Sequence, residues 1–468
     1  MATTMSPGAL EADALEQLRG EFRGEIVEPT DDGYDDLRGV FNGMFDKRPR
    51  VILRPAGAAD VIRGIGLART SGLPLAVRSG GHSVAGFSSV DGGIVLDLRL
   101  LKAVRVDPNG KTVRAQGGVN WGELDHETQA FGLAVTGGRV TTTGVVGFTT
   151  GTGSGWLERK FGFAADNVIG ADVVTADGQI VHASETENEE LLWGLKGGGG
   201  NFGVVTEIEF TLGALSPIVY GGLAAFHPGK AAELARLWRD LSHENDDIGW
   251  AIASITAPPA PFVPEEWHGR RVPAVAGMIA GPHDQAEKIL APFRALGPIV
   301  DLWQPMPYTM VQALLDPGNP YGRQNYWRAR NLTDLPDAAI DVWLEAAETA
   351  PSPFTAVIML NGGGAIGKVG EDDTAISGRT SPFNFHLNGM WEDPNATDEN
   401  IAWVRRVSEA LAPHVAEGIS LNFQTEIADD VLRESFGAKK VERLRKLKDR
   451  YDPTNVFRLN QNIAPSAG

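Results

Sequence analysis

An α+β fold in more than one domain is predicted by three observations on the sequence. Up to about Leu212, short β-branched segments (GIVLDL, AVRVDP, TVRAQGG, GADVVTADGQIV, GVVTEIEFTL) alternate with glycine turns. From 217 to about 420 the texture changes to longer strand-like segments (VYGGLAAF, GWAIASITA, AVAGMIAG, FTAVIMLNGGG, FNFHLNGMW) separated by helical ones. Between the two textures, LGALSPIVYGG brings a proline and loses the rhythm of glycine turns. The expectation is a first domain over 1–215 and a second over 216–418. The second would be α+β, with a mostly antiparallel sheet covered by helices on one face.

Taken in order, residues 13–28 and 57–71 have the apolar spacing of amphipathic helices, the second stopping at Gly72 ahead of the strand LPLAVR. In the second domain the helical segments are GKAAELARLWRDLS, HDQAEKILAPFRAL, DAAIDVWLEAAETA and DENIAWVRRVSEALAPHV. The last segment, 419–468, contains a basic helix stopped by Asp452-Pro453 and a tail, RLNQNIAP, specific enough to return and pack on the first domain. The run AKKVERLRKLKDR within it reads as a solvated helix face.

Composition bounds the function. At 468 residues, 42% hydrophobic and 22% charged, the chain is globular. Its 60 acidic against 42 basic residues leave a net charge of −18, which argues against nucleic acid or an anionic membrane as partner. No apolar run approaches the ~20 residues of a membrane span. The N-terminal MATTMSPGALEADALEQL lacks the basic flank and apolar stretch of a signal peptide, so a cytoplasmic location is expected. The absence of cysteine excludes disulfides, thiolate metal sites and thiol nucleophiles together. His126, His182, His243 and His268 stand without carboxylates at ligand spacing, so no metal is expected. The oligomeric state is left open.

The 57 glycines cluster in runs: SGGHSVAG, QGGVNWG, GVVGFTTGTGSG, LKGGGGNFG. Consecutive small residues aim several backbone N–H groups at one point, which is how proteins cradle phosphate. Both 78-RSGGHS-83 and GVVGFTTGTGSG are able to do this, and two such loops far apart suit a long dinucleotide better than a mononucleotide. Neither is a GxxxxGK[ST] loop, and GTGSGW lacks the strand–turn–helix setting and the later ribose-binding acid of a nicotinamide site.

Four collinear stretches carry a resemblance. They are RSGGHSVAG…GGIVLDL, GGRVTTTGVVGFTTGTGSGWLERKFGFAADNVIGADVVTADGQIV, ELLWGLKGGGGNFGVVTEIEF and RYDPTNVFRLNQNIAP. Together they resemble the berberine-bridge-enzyme-like branch of the vanillyl-alcohol-oxidase flavoproteins, strongly over the N-terminal ~215 and C-terminal ~50 residues. The resemblance implies a PCMH-type, two-subdomain FAD-binding domain with FAD bound extended. It places His82 on the 8α-methyl of the isoalloxazine as a covalent link; the plain alternative is a turn histidine. Ser79, Gly80, Gly81 and Ser83 would face the pyrophosphate. The resemblance also places Arg78, Thr142, Thr143, Gly147, Gly151, Gly153, Val205, Asn460 and Asn462 against the cofactor. The second, cysteinyl link of many relatives falls at Val140, so any covalent link here is single.

The activity so implied is transfer of a hydride from an activated C–H (of an alcohol, an amine or a phenol-conjugated carbon) to FAD, with reoxidation by O₂ and release of hydrogen peroxide. The small-molecule substrate is undetermined among sugars, phenols, alkaloids, polyketides and amines. A dehydrogenase using another acceptor and a non-catalytic flavin-binding module are the alternatives. Thr143 falls where relatives control oxygen access. On 383-FNFHLNGMW-391, counting back from Trp391, the resemblance puts Asn384 and His386 over the reactive face, where relatives often carry lysine and a glutamine or glutamate. Period 2 sends both to one face and Phe383, Phe385 and Leu387 to the other. His386 is the expected base, Asn384 the expected orienting residue, and Gln424 is expected to lend a hydrogen bond from a neighbouring C-terminal strand. Ser154 and Phe423 stand where some relatives have aromatic hydroxyls, and Tyr326, with Arg328, is expected to border the pocket.

Overall fold

The computed structural model describes residues 12–466, apart from 419 and 428. Residues 1–11, part of the stretch searched above for a leader, lie outside it. The N-terminal segment forms the helix Ala12–Glu21 and then turns into strand β1 (Glu25–Val27), shorter than the continuous helix expected over 13–28. Burial explains the stop. The side chain of Asp60 accepts from the backbone N–H groups of Arg23 (3.1 Å) and Gly24 (3.0 Å), pinning the chain in an extended path onto the next strand.

Strands β2 (Val51–Arg54), β3 (Leu75–Arg78) and β4 (Ile94–Asp97) join β1 in a four-stranded sheet of order β1-β2-β4-β3. The helix Ala58–Ser71 covers it and ends, as expected, at Gly72, which caps it at φ 69°. A second sheet holds β5 (Val104–Asp107), β6 (Thr112–Gln116), β8 (Val168–Val174), β9 (Ile180–Ser184) and β10 (Val204–Thr211) in the order β5-β6-β10-β8-β9, all antiparallel. Two short strands, β7 (Leu133–Ala134) and β11 (Gly213–Ala214), pair beside it. The stretch 145–151, expected as a glycine loop, is a short helix (Val145–Gly151) whose Val145 and Phe148 are buried in the core of this sheet.

The third sheet is eight-stranded. It comprises β12 (Ile218–Ala225), β13 (Ile248–Thr256), β14 (Arg271–Ile279), β15 (Val300–Asp301), β16 (Gln304–Pro307), β17 (Gln324–Leu332), β18 (Ala356–Asn361) and β19 (Phe383–Trp391). Its path is β15-β12-β14-β13-β18-β19-β17, with β16 also on β12, and every pairing is antiparallel. Four helices, Ala231–Leu241, His283–Ala295, Asp337–Thr349 and Thr397–Ala410, bury Trp238, Phe293, Trp343 and Trp403 against one face, together with Phe383, Phe385 and Leu387 of β19. The other face turns toward the first two sheets. Both faces are therefore shielded from bulk water, so the polar residues of β19 on the second face, His386 and Asn388, are buried as well.

The C-terminal helix Asp429–Tyr451 is broken at Gly437 and is less solvated than its charges suggest. Lys440 and Lys448 are buried in it. Lys448 donates to Asp452 (2.7 Å) and to the carbonyls of Asn201 (3.0 Å) and Phe457 (2.8 Å), so the helix end and the tail lock onto the first domain. Asn201 also donates to the Gln461 carbonyl at 3.0 Å.

Candidate active site

A cavity of about 910 Å³ separates the open face of the eight-stranded sheet from the loops of the first two sheets. The loop 79–83 follows β3 directly and enters its wall, so the parallel strand aims the loop's backbone at the cavity. Opposite it lies the turn before the helix Val145–Gly151. At Gly80 a side chain would meet the Gly144 nitrogen at 2.3 Å, so this residue must be glycine for the two loops to touch.

His82 stands at this junction. Its Nε2 lies 2.8 Å from the Thr142 hydroxyl and its Nδ1 3.5 Å from that of Thr143. Phe41 stacks on the ring at 4.4 Å and 17°, while Tyr321 meets it edge-on at 5.1 Å and donates to the Gly80 carbonyl. Burial pushes its pKa down to about 3. The imidazole is neutral at ordinary pH, the form that keeps a nucleophilic lone pair.

On the opposite wall, His386, Asn388 and Met390 of β19 face the cavity. His386 is 5% exposed, makes no hydrogen bond among the described residues, and touches the Phe423 ring at 4.5 Å. Burial first, and then the charge of Arg139, push its pKa down to about 3. Arg139 donates to the carbonyl (3.2 Å) and hydroxyl (3.1 Å) oxygens of Ser154 and to Glu158 (3.3 Å). Gln424 lines the cavity from the end of a short 3-10 turn, Leu421–Phe423, rather than from a strand. Its amide nitrogen already donates to the Ala329 carbonyl at 2.9 Å, leaving its oxygen as the group for a ligand.

Several expected positions are corrected. Asn384 does not line the cavity. It lies on the His386 face but one register step beyond the edge, paired with Leu360 and Asn331. The polar neighbour two residues along on the cavity side is Asn388, whose Oδ1 is buried without a partner. Tyr326 points the other way, into the helix-covered core, with its hydroxyl donating to Glu426 at 2.5 Å. Arg328 pairs with the same carboxylate at 2.9 Å. Strand alternation puts Trp327 in the cavity instead. Arg78 is fully buried and clamps the carbonyls of Ser88 (2.9 Å), Leu37 and Arg38 (3.2 Å), which leaves it no role at a phosphate. Gly153 turns at φ +90° against Ala164, away from the cavity, and Asn462 also lies off it. Thr142 reaches the site only through His82.

Ser79, Gly80, Gly81, Ser83, Thr143, Gly147 and Gly151 do line the cavity, as do Val205, Asn460, Ser154 and Phe423. Sequence reasoning missed Phe41, Arg139, Trp327 and Asn388. Period 2 from His386 would have found Asn388; nothing in the sequence joins Phe41 to His82.

These residues fit a long flavin dinucleotide. Backbone-lined loops meet at one end, and the oxygens Ser79 Oγ and Asn460 Oδ1 are buried there without protein partners. Apolar walls and the neutral His82 flank the middle. The FAD binding domain family matches residues 49–184, and the family described as berberine and berberine like matches 421–464. The chain is 31% identical over 460 residues to (R)-6-hydroxynicotine oxidase of Paenarthrobacter nicotinovorans, covering 95% of this chain and 97% of that protein. The chain belongs to the berberine-bridge-like family of FAD-linked oxidoreductases. The crystal structure of 6-hydroxy-D-nicotine oxidase from Arthrobacter nicotinovorans superposes with a TM-score of 0.83 at 28% identity, covering 95% of this chain and 98% of that one. Berberine bridge enzyme from Eschscholzia californica shares the fold, with a TM-score of 0.85 at 22% identity over 97% and 100% of the two chains. This family member is thus an FAD-dependent oxidoreductase with the PCMH-type FAD-binding domain. No helix among the described residues is long and apolar enough to cross a membrane.

Proposed function

We propose that the protein is an oxidase of a small organic alcohol, amine or phenol-conjugated carbon, carrying its FAD on one covalent bond to His82. One observation supports this reading above the others. A neutral histidine held by threonine hydroxyls forms one wall of a cavity whose opposite wall presents a second, unpartnered histidine. FAD held against these loops and His82 would supply the redox chemistry: two electrons taken from the substrate as hydride and delivered with two protons to O₂ to give hydrogen peroxide.

The protein's own residues supply geometry and proton handling. His386, neutral and unbonded, accepts the substrate O–H or N–H proton at its cavity-facing nitrogen. Asn388 takes the orienting role first expected of Asn384, its Oδ1 being buried without a partner. The Gln424 oxygen is an additional acceptor. The walls around them, Trp327, Phe423 and Met390, exclude water.

Two experiments test the reading. Acid precipitation of the unmodified protein should leave flavin absorbance in the pellet, whereas His82→Ala should release it, fold normally and turn over more slowly. Flavin that washes out of the unmodified protein would remove the covalent assignment. Thr143→Leu should slow reoxidation of reduced flavin by O₂ in stopped flow while sparing reduction by substrate. Equal reoxidation rates would exclude Thr143 from oxygen access.

A further inference from the structure

Starting at His386, the strand registers define a straight lane across the sheet. His386 pairs with Ile358, Ile358 with Ala253, Ala253 with Ala274, and Ala274 with Ala225. All five residues line the cavity. Four inter-strand steps of about 4.8 Å make the lane roughly 19 Å long. The neighbouring row, Leu360, Ala251, Ala276 and Leu223, is built the same way and also lines the cavity.

Alanine is an unusual choice for three consecutive strands in a sheet interior, where β-branched and large residues pack better. Elsewhere in this sheet the interior is filled by Trp238, Trp250, Phe293 and Trp343. Small side chains on this face leave depth, greatest at the half-buried Ala253, while Ala225 and Ala274 at the far end also pack with Val263 and Val300. At the far end the β13–β14 loop brings Phe262 and Trp267 over the cavity, and Phe262 is 52% exposed. The near end holds His386, which makes no hydrogen bond among the described residues, and the buried Asn388 Oδ1 without a partner, which together call for a ligand group carrying a donor and an acceptor.

We infer that the lane is the seat of an elongated apolar arm on the substrate: an alkyl, prenyl or aryl chain extending from the hydroxyl- or amine-bearing carbon at His386 toward Phe262 and Trp267. The inference rests on the proposed function for the placement of the reacting group and adds the chemical class of the remainder. Apart from the polar groups at the His386 end, the lane itself offers no hydrogen-bonding side chain. A sugar chain of the same length would lose its water contacts there without replacement.

The test uses the flavin-loaded protein and the non-natural probes 4-ethylphenol, 4-butylphenol and 4-heptylphenol, with binding read from the perturbation of flavin absorbance. Affinity should rise about two- to fourfold per added methylene, as burial of each CH₂ predicts. Ala253→Leu should remove most of this gain for 4-heptylphenol and leave 4-ethylphenol within twofold, which also reports that the variant is folded and loaded. If that variant does not fold, Ala225→Leu at the far end should spare 4-butylphenol and weaken 4-heptylphenol. Equal affinity for the three phenols, no spectral response to any of them, or a length gain for cellobiose and cellotetraose instead would each overturn the inference. If length strengthens binding but no alcohol, amine or phenol reduces the flavin, the redox reading fails and the lane stands. Reduction by short substrates with no gain from length has the opposite meaning.

Discussion

His386→Ala is expected to slow reduction of the bound flavin by 10²–10⁴-fold, the usual cost of removing a general base. The side chain lies in the cavity wall with no hydrogen-bond partner among the described residues, so its loss leaves no hydrogen-bonding group unpaired there. Burial and Arg139 hold its pKa near 3, so the ring is already in its acceptor form throughout pH 5–9. The reduction rate of the parent protein should therefore show no acidic limb near 6.5, the value an unperturbed histidine would give. So weak a base cannot hold the proton in the ground state. It acts only as hydride leaves and the substrate's own proton becomes acidic. A limb near 6.5 that vanishes in His386→Ala would mean a solvated, protonatable ring. Reduction within a few-fold of the parent would point to a substrate that ionises in solution. The same variant carries a stability signature. The folded pKa is depressed below the unfolded one, so His386 contributes stability that is fully present above about pH 6.5 and is lost as pH falls toward 3. In that window denaturant titrations of the parent should lose up to about 1.4 kcal/mol per pH unit more than the variant.

Lys448→Met is expected to cost about 3–5 kcal/mol, because it strands Asp452 as a buried charge without its cation. Both side chains are fully buried. Asp452 would retain only the N–H groups of Val456 and Phe457, each at 2.8 Å. The damage should extend to the cofactor, since the tail that Lys448 anchors carries Asn460 and Gln461 in the cavity wall. Urea denaturation and flavin retention on gel filtration read the two effects. Adding Asp452→Asn removes the unpaired charge and should recover part of the stability. A single variant within 1 kcal/mol of the parent would show that the pair is not what holds the tail.

The sequence alone determined the parts of this protein that are local. Gly72 ended its helix where a left-handed cap was needed, the alternation of FNFHLNGMW assigned Phe383, Phe385 and Leu387 to the core, and consecutive small residues marked the loop that carries His82. Each of these depends on backbone geometry within a few residues. The sequence left open where each strand meets the cavity's edge, because period 2 fixes a face but not how far along that face the cavity extends. Asn384 and Asn388 share a face and differ only in this respect, whereas Tyr326 and Trp327 lie on opposite faces, and which face of β17 meets the cavity is set by its pairing with β19. Only the tertiary structure decided that Phe41 stacks on His82, that Arg139 lowers the basicity of His386, and that alanines from three strands fall into one register. Those contacts join residues far apart in the chain. They are set by sheet order and by desolvation, neither of which leaves a periodic trace in the sequence.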